Sequence, residues 1–170
     1  MPTSLQKGDG YVHLPVATDG GAEAVTKQAV LLDRDGVLIE DVGYLGKPAQ
    51  IRILPGVPEA LRLLAPQFRL VVVTNQSGIG RGMFSEDDLF TVHEELARRL
   101  AKLSEGEAVE AYYFCPHHRD GTVSEYTMVC ECRKPEPGLL VDAAREHGID
   151  LTASFMIGDR WRDIEAGRRA

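Results

Sequence analysis

The chain of 170 residues contains no apolar run approaching the roughly 20 residues that a membrane-crossing helix needs, so no span is expected. Residues 1–29 lack the basic start and apolar block of a secretory leader. Positive charge is in the minority: 19 Lys and Arg against 26 Asp and Glu give a net charge of −7, which argues against a nucleic-acid surface. Cysteine is scarce. The three present are an odd number and all lie between positions 115 and 132, which disfavours a disulfide framework and points to a metal in a reducing compartment, hence the cytoplasm. There is no internal repeat and no low-complexity tract. What remains is an ordinary globular composition, 44% hydrophobic and 26% charged, at a length that suits one domain with a real core.

Residues 1–28 show no clear periodicity and are expected to form a loose N-terminal arm, with one domain over 29–170. Ala29-Val-Leu-Leu-Asp33 is a short apolar run ending in a carboxylate, as in a strand buried on both faces. Positions 36–55 are irregular, and Pro58 then opens a helix over 59–65. Leu70–Thr74 reads as a second buried strand, followed by a loop with Gly78, Gly80 and Gly82. Ser85 caps the next helix, with Asp88 placed as in a capping box and Leu89, Val92, Leu96 and Leu100 as its apolar stripe. Val109–Phe114 is a third strand, 139–147 a helix stopped by Gly148, Ser154–Gly158 a fourth strand, and Arg160–Ala170 a further helix. Strands alternating with helices predict a three-layer α/β fold around a doubly wound parallel sheet. In such sheets ligands sit at the carboxyl ends of the strands, where Asp33, Thr74, Cys115 and Asp159 all fall.

Asp33 and Asp35 stand two apart as the first strand runs out, and alternation along an extended chain lets both face one way. Asp159 reaches the same edge. A like-charge pair 4 Å apart costs about 4 kcal/mol at an effective dielectric of ~20, so a carboxylate cluster of this kind calls for a hard dication such as magnesium. Phosphate would bind through the metal, Thr74, and backbone N–H groups of the loop from Asn75 to Gly82, with Lys134 as a mobile positive charge. An aspartate beside a bound phosphoryl group can form an aspartyl-phosphate, and a second carboxyl can serve as acid and then base. Taken singly these features are weak. Asp-x-Asp-Gly is also a turn or part of a calcium loop, and a lone lysine is usually solvated surface. Their order and their placement at strand ends give them weight.

Taken together, Asp33-Arg34-Asp35-Gly36, Val73-Thr74-Asn75-Gln76-Ser77-Gly78, Cys132-Arg133-Lys134-Pro135 and Gly158-Asp159-Arg160-x-x-Asp163 resemble the four ordered motifs of the haloacid dehalogenase-like (HAD) phosphatases. Within them, Cys115-Pro116-His117-His118 with Cys130-Glu131-Cys132 is similar to the branch that acts on heptose bisphosphate and histidinol phosphate. The resemblance implies Asp33 as nucleophile, Asp35 as acid/base, and Thr74 and Lys134 as stabilisers of phosphate and intermediate. It implies Mg²⁺ held by Asp33, Asp159 and Asp35, the last through its carbonyl. Asn75, Gln76, Ser77, Arg81, Arg133 and Arg160 are the candidate substrate contacts. Val37, Glu40, Gly80 and Arg160 depart from residues common in that family, which bears on substrate contacts and not on the chemistry. Members of the family continue into another strand beside the fourth one; the sequence leaves open whether this chain is cut short there or fills the edge differently.

Cys115-x-His117 and Cys130-x-Cys132 offer three thiolates and one imidazole, the donor set of a closed structural zinc site over a loop at 115–134. The other readings are three free cysteines, or His118 as the fourth ligand. With four protein ligands, Zn²⁺ would fold the loop that carries Arg133 and Lys134 and would not catalyse. His13, His93 and His147 have no partner pattern and read as ordinary surface or helix residues. Neither gap between the motifs has room for a cap domain, so residues 40–55 and the zinc loop should fence the site. The substrate class expected is a small phosphorylated molecule, first a heptose 1,7-bisphosphate, then histidinol phosphate, and more distantly a polynucleotide 3′-phosphate end; the enzyme is expected to work as a monomer, without nucleic-acid or membrane partners.

Overall fold

The computed structural model describes residues 6–8, 11–13, 27–106 and 109–170. Two short strands come first, β1 (Gln6–Gly8) and β2 (Tyr11–His13), then β3 (Ala29–Leu32). Helix α1 (Val57–Leu64) precedes β4 (Arg69–Asn75), and α2 (Glu86–Leu103) precedes β5 (Ala111–Cys115). Helix α3 (Gly138–His147), β6 (Phe155–Ile157) and α4 (Trp161–Arg169) complete the order. The sheet runs β1-β2-β5-β4-β3-β6, with β5, β4, β3 and β6 mutually parallel.

Alternation along the strands divides the core into two. Val30, Leu32, Leu70, Val72 and Tyr112 face α1 and α2, meeting Leu61, Val92, Leu96 and Leu100. Ala29, Leu31, Val71, Val73, Ala111 and Tyr113 face the other way, onto Leu139, Leu140 and Ala143 of α3 and Ala166 of α4. A strand buried on both faces needs apolar residues at every position, and each fully buried Val or Leu contributes about 1.5–3 kcal/mol, so Ala29–Leu32 and Leu70–Val73 form the sheet's centre.

The expected elements are present with small shifts at their ends. Ser85 Oγ accepts from Asp88 N at 3.1 Å while Asp88 Oδ2 accepts from Ser85 N at 2.8 Å, the capping box read in the sequence. Helix α3 stops at Gly148, whose φ of +64° is left-handed. Between β3 and β4 the described chain holds only a 3-10 turn (Pro48–Gln50) and α1, with no cap domain.

The N-terminal stretch differs from expectation. Within it, β1 pairs antiparallel with β2, and β2 pairs antiparallel with β5. The register sets Gly8 opposite Tyr11 and leaves Asp9-Gly10 between the strands. Asp-Gly between two short strand-formers is a hairpin signal, outweighed in the sequence by the surrounding Gly, Thr and Lys. The remainder of 1–26 lies outside the described residues. At the opposite edge, among the described residues, β6 pairs only with β3, and Phe155 and Ile157 are exposed.

Candidate active site

The parallel strands end together, and their carboxyl ends carry the polar residues. Asp33 follows β3 and extends its pairing, donating from N to Ile157 O at 2.9 Å. Its Oδ1 accepts from Arg34 N at 2.8 Å and lies 3.1 Å from Lys134 Nζ. Lys134 is not mobile as expected: it is 2% exposed, and Nζ also donates to Val73 O at 2.7 Å and sits 2.6 Å from Asp163 Oδ1. A buried ammonium has to be surrounded by acceptors, and the end of β4 with two carboxylates supplies them. Burial raises the pKa of Asp33 above the ordinary carboxylate value; Lys134 pulls it down and Asp163 adds to the rise.

Carboxylate oxygens of Asp33, Asp159 and Asp163 lie within 4.8 Å of one another. Asp163, fully buried in the first turn of α4, is the third carboxylate of this cluster; the Asp35 carboxylate lies outside it, and the metal contact expected of Asp35 is its backbone carbonyl. Asp33 and Asp35 do share the pocket above the strands, and just after Asp35 the chain turns at Gly36, with φ +81° and its N–H donating to Ile39 O at 2.8 Å. A side chain at position 36 would put Cβ 2.6 Å from Asp159 Oδ2, so glycine is required by both conformation and space. The Asp35 carboxylate turns instead to Arg34 and Gln76.

Above the cluster, a polar pocket is lined by Asp33, Asp35, Asp41, Thr74, Asn75, Ser77, Arg133, Asp159, Arg160 and Arg162. Asp41 and Gly43 bring the 40–55 flap to its rim, as expected. Arg160 pairs with Asp41 at 3.1 Å and with Asp159 at 3.1 Å. Of the candidate substrate contacts, Asn75, Ser77, Arg133 and Arg160 reach the pocket. Gln76 does not: it is 4% exposed and donates to Asp35 Oδ2 and Thr74 Oγ1, both at 2.9 Å. Arg81 is also elsewhere, 3.0 Å from His118 Nε2. Asn75 clamps Lys134, accepting from its N–H and donating to its carbonyl at 3.0 Å each. Arg162, Asp41 and the role of Asp163 were missed. Arg162 and Asp163 follow the Asp159-Arg160 motif directly in the sequence and could have been found from that spacing.

At the end of β5, Cys115 Sγ lies 3.5 Å from Cys130 Sγ and 3.0 Å from Cys132 Sγ, and His117 Nδ1 is 3.3 Å from Cys132 Sγ and 3.7 Å from Cys115 Sγ. All three cysteines are free. Ligands ~2.3 Å from one zinc at tetrahedral angles would stand roughly 3.8 Å apart, so this set has the size of a single-ion site. Hydrogen bonding to Cys115 together with burial pushes the Cys132 thiol pKa up, a penalty on thiolates that a bound dication removes. His118 is not a member: Nε2 faces Arg81 and Nδ1 accepts from Asp120 N at 3.1 Å.

Comparisons with known proteins agree with this geometry. Residues 131–170 match a family model described as HAD-hydrolase-like. The D-glycero-beta-D-manno-heptose-1,7-bisphosphate 7-phosphatase of Rhodopseudomonas palustris is 41% identical over 150 residues, covering 88% of this chain and 82% of that protein. The enzyme of the same name from Photorhabdus laumondii is 46% identical over 143 residues, covering 84% and 75%. Among solved structures, a HAD-like phosphatase from Mesorhizobium loti superposes with a TM-score of 0.76 at 35% identity, covering 84% of this chain and 68% of that one. The D,D-heptose 1,7-bisphosphate phosphatase of B. bronchiseptica, complexed with magnesium and phosphate, gives 0.71 at 35% identity, covering 82% and 74%.

Proposed function

Because the chain belongs to the D-glycero-beta-D-manno-heptose-1,7-bisphosphate 7-phosphatase family of HAD-like hydrolases, we propose that it removes the C7 phosphate of that sugar bisphosphate through an aspartyl-phosphate on Asp33. The observation that carries this reading is Asp33 itself. Its Oδ1 is tied to Lys134 and to the Arg34 amide, no hydrogen bond reaches Oδ2 among the described residues, and the arginine-lined pocket stands above it.

In the first step Asp33 forms a bond to phosphorus as the bond from phosphorus to the C7 oxygen breaks. Asp35 gives its proton to that leaving oxygen. In the second step Asp35, now a carboxylate, takes a proton from water as the water oxygen attacks phosphorus. The acyl phosphate splits, Asp33 is restored, and sugar monophosphate and inorganic phosphate leave. Lys134, fixed 3.1 Å from Asp33 Oδ1, balances charge at the nucleophile throughout. Thr74 and Ser77 offer hydroxyls to the phosphoryl group, and Arg133, Arg160 and Arg162 give the mouth its positive charge.

Two metals fit the donor sets present. Asp33 and Asp159, with the Asp35 carbonyl as implied by the family, would hold Mg²⁺; the oxygen-only cluster around one lysine suits a hard dication. When bound, magnesium neutralises charge on the phosphoryl oxygens. Cys115, His117, Cys130 and Cys132 would hold Zn²⁺ with no position left for water, a structural role. Three unpaired cysteines serving as ligands fit a reducing compartment, and the cytoplasm is our assignment.

The test is phosphate release from both anomers of the heptose bisphosphate, from histidinol phosphate and from a 3′-phosphorylated oligonucleotide. The β-anomer should give the highest kcat/KM. Faster turnover of histidinol phosphate would overturn the substrate assignment and leave the reaction class intact.

A further inference from the structure

Arg34 lies between the two aspartates of the first motif, and the reaction as written does not use it. Its guanidinium is buried and all three nitrogens are engaged. Nε and Nη2 run along the Asp35 carboxylate at 3.0–3.3 Å. Nη2 also donates to Gln76 Oε1 at 3.0 Å, and Nη1 lies 3.1 Å from His93 Nε2. Gln76 closes the ring through its bonds to Asp35 Oδ2 and Thr74 Oγ1.

His93 stands inside α2, 1% exposed, its ring 4.9 Å from that of Tyr112. It is not the surface or ordinary helix residue read in the sequence. A guanidinium only donates, so Nε2 accepts and the ring proton sits on Nδ1. Nδ1 is buried without a hydrogen-bond partner among the described residues. Burial, and then the charge of Arg34, hold the pKa of this ring well below its usual value, in keeping with a neutral acceptor. Leucine or phenylalanine would fill the same place without stranding a polar atom. What the imidazole adds is an acceptor for Nη1, which has no other partner among the described residues.

We propose that His93 is a positioning residue: by holding Nη1 of Arg34 it fixes the guanidinium plane on which the Asp35 carboxylate lies, and with it the direction from which Asp35 meets the leaving oxygen. Gln76 takes Oδ2 in addition to Arg34, so Oδ1 is the less engaged oxygen of the carboxyl. The inference rests on Asp35 as proton donor in the reaction proposed above.

The experiment compares two substrates on each enzyme sample. A sugar phosphate leaves as an alkoxide and needs a proton; p-nitrophenyl phosphate releases a stabilised anion and does not. Taking the ratio of the two kcat/KM values on one sample cancels any loss of folded protein. His93→Leu should lower kcat/KM for the heptose bisphosphate on the order of 10²-fold, the scale of a mispositioned catalytic group. For p-nitrophenyl phosphate the loss should stay under roughly 3-fold. His93→Gln, whose side-chain carbonyl can accept from Nη1, should restore most of the ratio. An equal fall for both substrates would make His93 merely structural, and no fall for either would make the clamp idle; both results overturn the proposal. Asp35→Asn separates the two layers. If it leaves the ratio unchanged, Asp35 is not the proton donor and the positioning role falls with it. If it lowers the ratio while His93→Leu does not, only the positioning role is lost.

Discussion

Arg133 donates from Nη1 to the carbonyl oxygen of His117 at 3.0 Å, so an arginine at the pocket rim is tied to a residue of the Cys–His cluster. Lys134 follows it directly in the chain. Metal loading at the cluster should therefore be felt at the phosphate site, through position and not through chemistry.

Cys130→Ser tests that coupling. Loss of one ligand should loosen roughly residues 115–137, because the folding of such a loop is linked to its metal. Cys130 and Cys132 only flank a core made chiefly by the strands and helices, so a cooperative thermal transition should persist. The expected outcome is protease cleavage confined to the loop and kcat/KM reduced on the order of 10²-fold, since a displacement of about 1 Å suffices for that. Metal analysis of the unsubstituted protein should find about one zinc per chain on the four-ligand argument. Unchanged kinetics in a zinc-free variant would show that the loop does not serve the site.

Asp33→Asn should abolish turnover while leaving the fold intact, as measured by phosphate release and far-ultraviolet circular dichroism. The substitution keeps the side chain's shape but replaces one carboxylate oxygen with an amide NH2, which removes the charge and the nucleophile. Beryllium fluoride with magnesium should inhibit the unsubstituted enzyme, and EDTA should inhibit reversibly. Near-native activity in Asp33→Asn would rule out the aspartyl-phosphate route.

Asn75→Ala removes both hydrogen bonds to the Lys134 backbone. One satisfies the Lys134 N–H, which has no other partner among the described residues, and leaving a buried donor unpaired costs about 1–3 kcal/mol. The urea midpoint should fall accordingly. With Nζ still gripped by Asp33, Asp163 and Val73, KM should change less than kcat. A fall in KM affinity alone would show Asn75 to be a substrate contact and not a brace for Lys134.

Much of this architecture was legible in the sequence because its signals are local and agree with one another. Ala29–Leu32 and Leu70–Val73 are apolar at every position, which only a strand buried on both faces requires. Ser85 with Asp88 and the glycine at 148 marked helix ends through their own backbone chemistry. What escaped depends on partners distant in the chain. His93 looks like any helix residue until Arg34, 59 positions earlier, is placed against it. Lys134 reads in the sequence as a stabiliser of phosphate, but its burial and fixed place show only when β4 and α4 deliver Val73 O and Asp163. Strand alternation brings Asp33 and Asp35 to one pocket, but the third carboxylate beside Asp33 and Asp159 is Asp163, which only the packing of α4 delivers.

Glu110 gives a prediction about stability at low pH, away from the site. Burial raises the pKa of its carboxyl, but hydrogen bonds from Arg69 and His147 outweigh it and hold the group down at about 2. The pair with Arg69 is close, and His147 Nδ1 lies 3.1 Å away, with Glu110 28% exposed. A carboxyl whose folded pKa lies below its unfolded value stabilises the fold above the unfolded value, near 4.3, and loses that contribution as pH falls toward 2. After allowance for partial exposure, the contribution is on the order of 2 kcal/mol. Glu110→Gln should therefore lower stability at pH 7 and flatten its dependence on pH between about 4.5 and 2, where the unsubstituted protein should lose stability steeply. Urea denaturation at a series of pH values reads both effects. Parallel curves for the two proteins through that window would show that Glu110 binds its proton equally well folded and unfolded, and that the Arg69–Glu110–His147 group does not contribute to acid sensitivity.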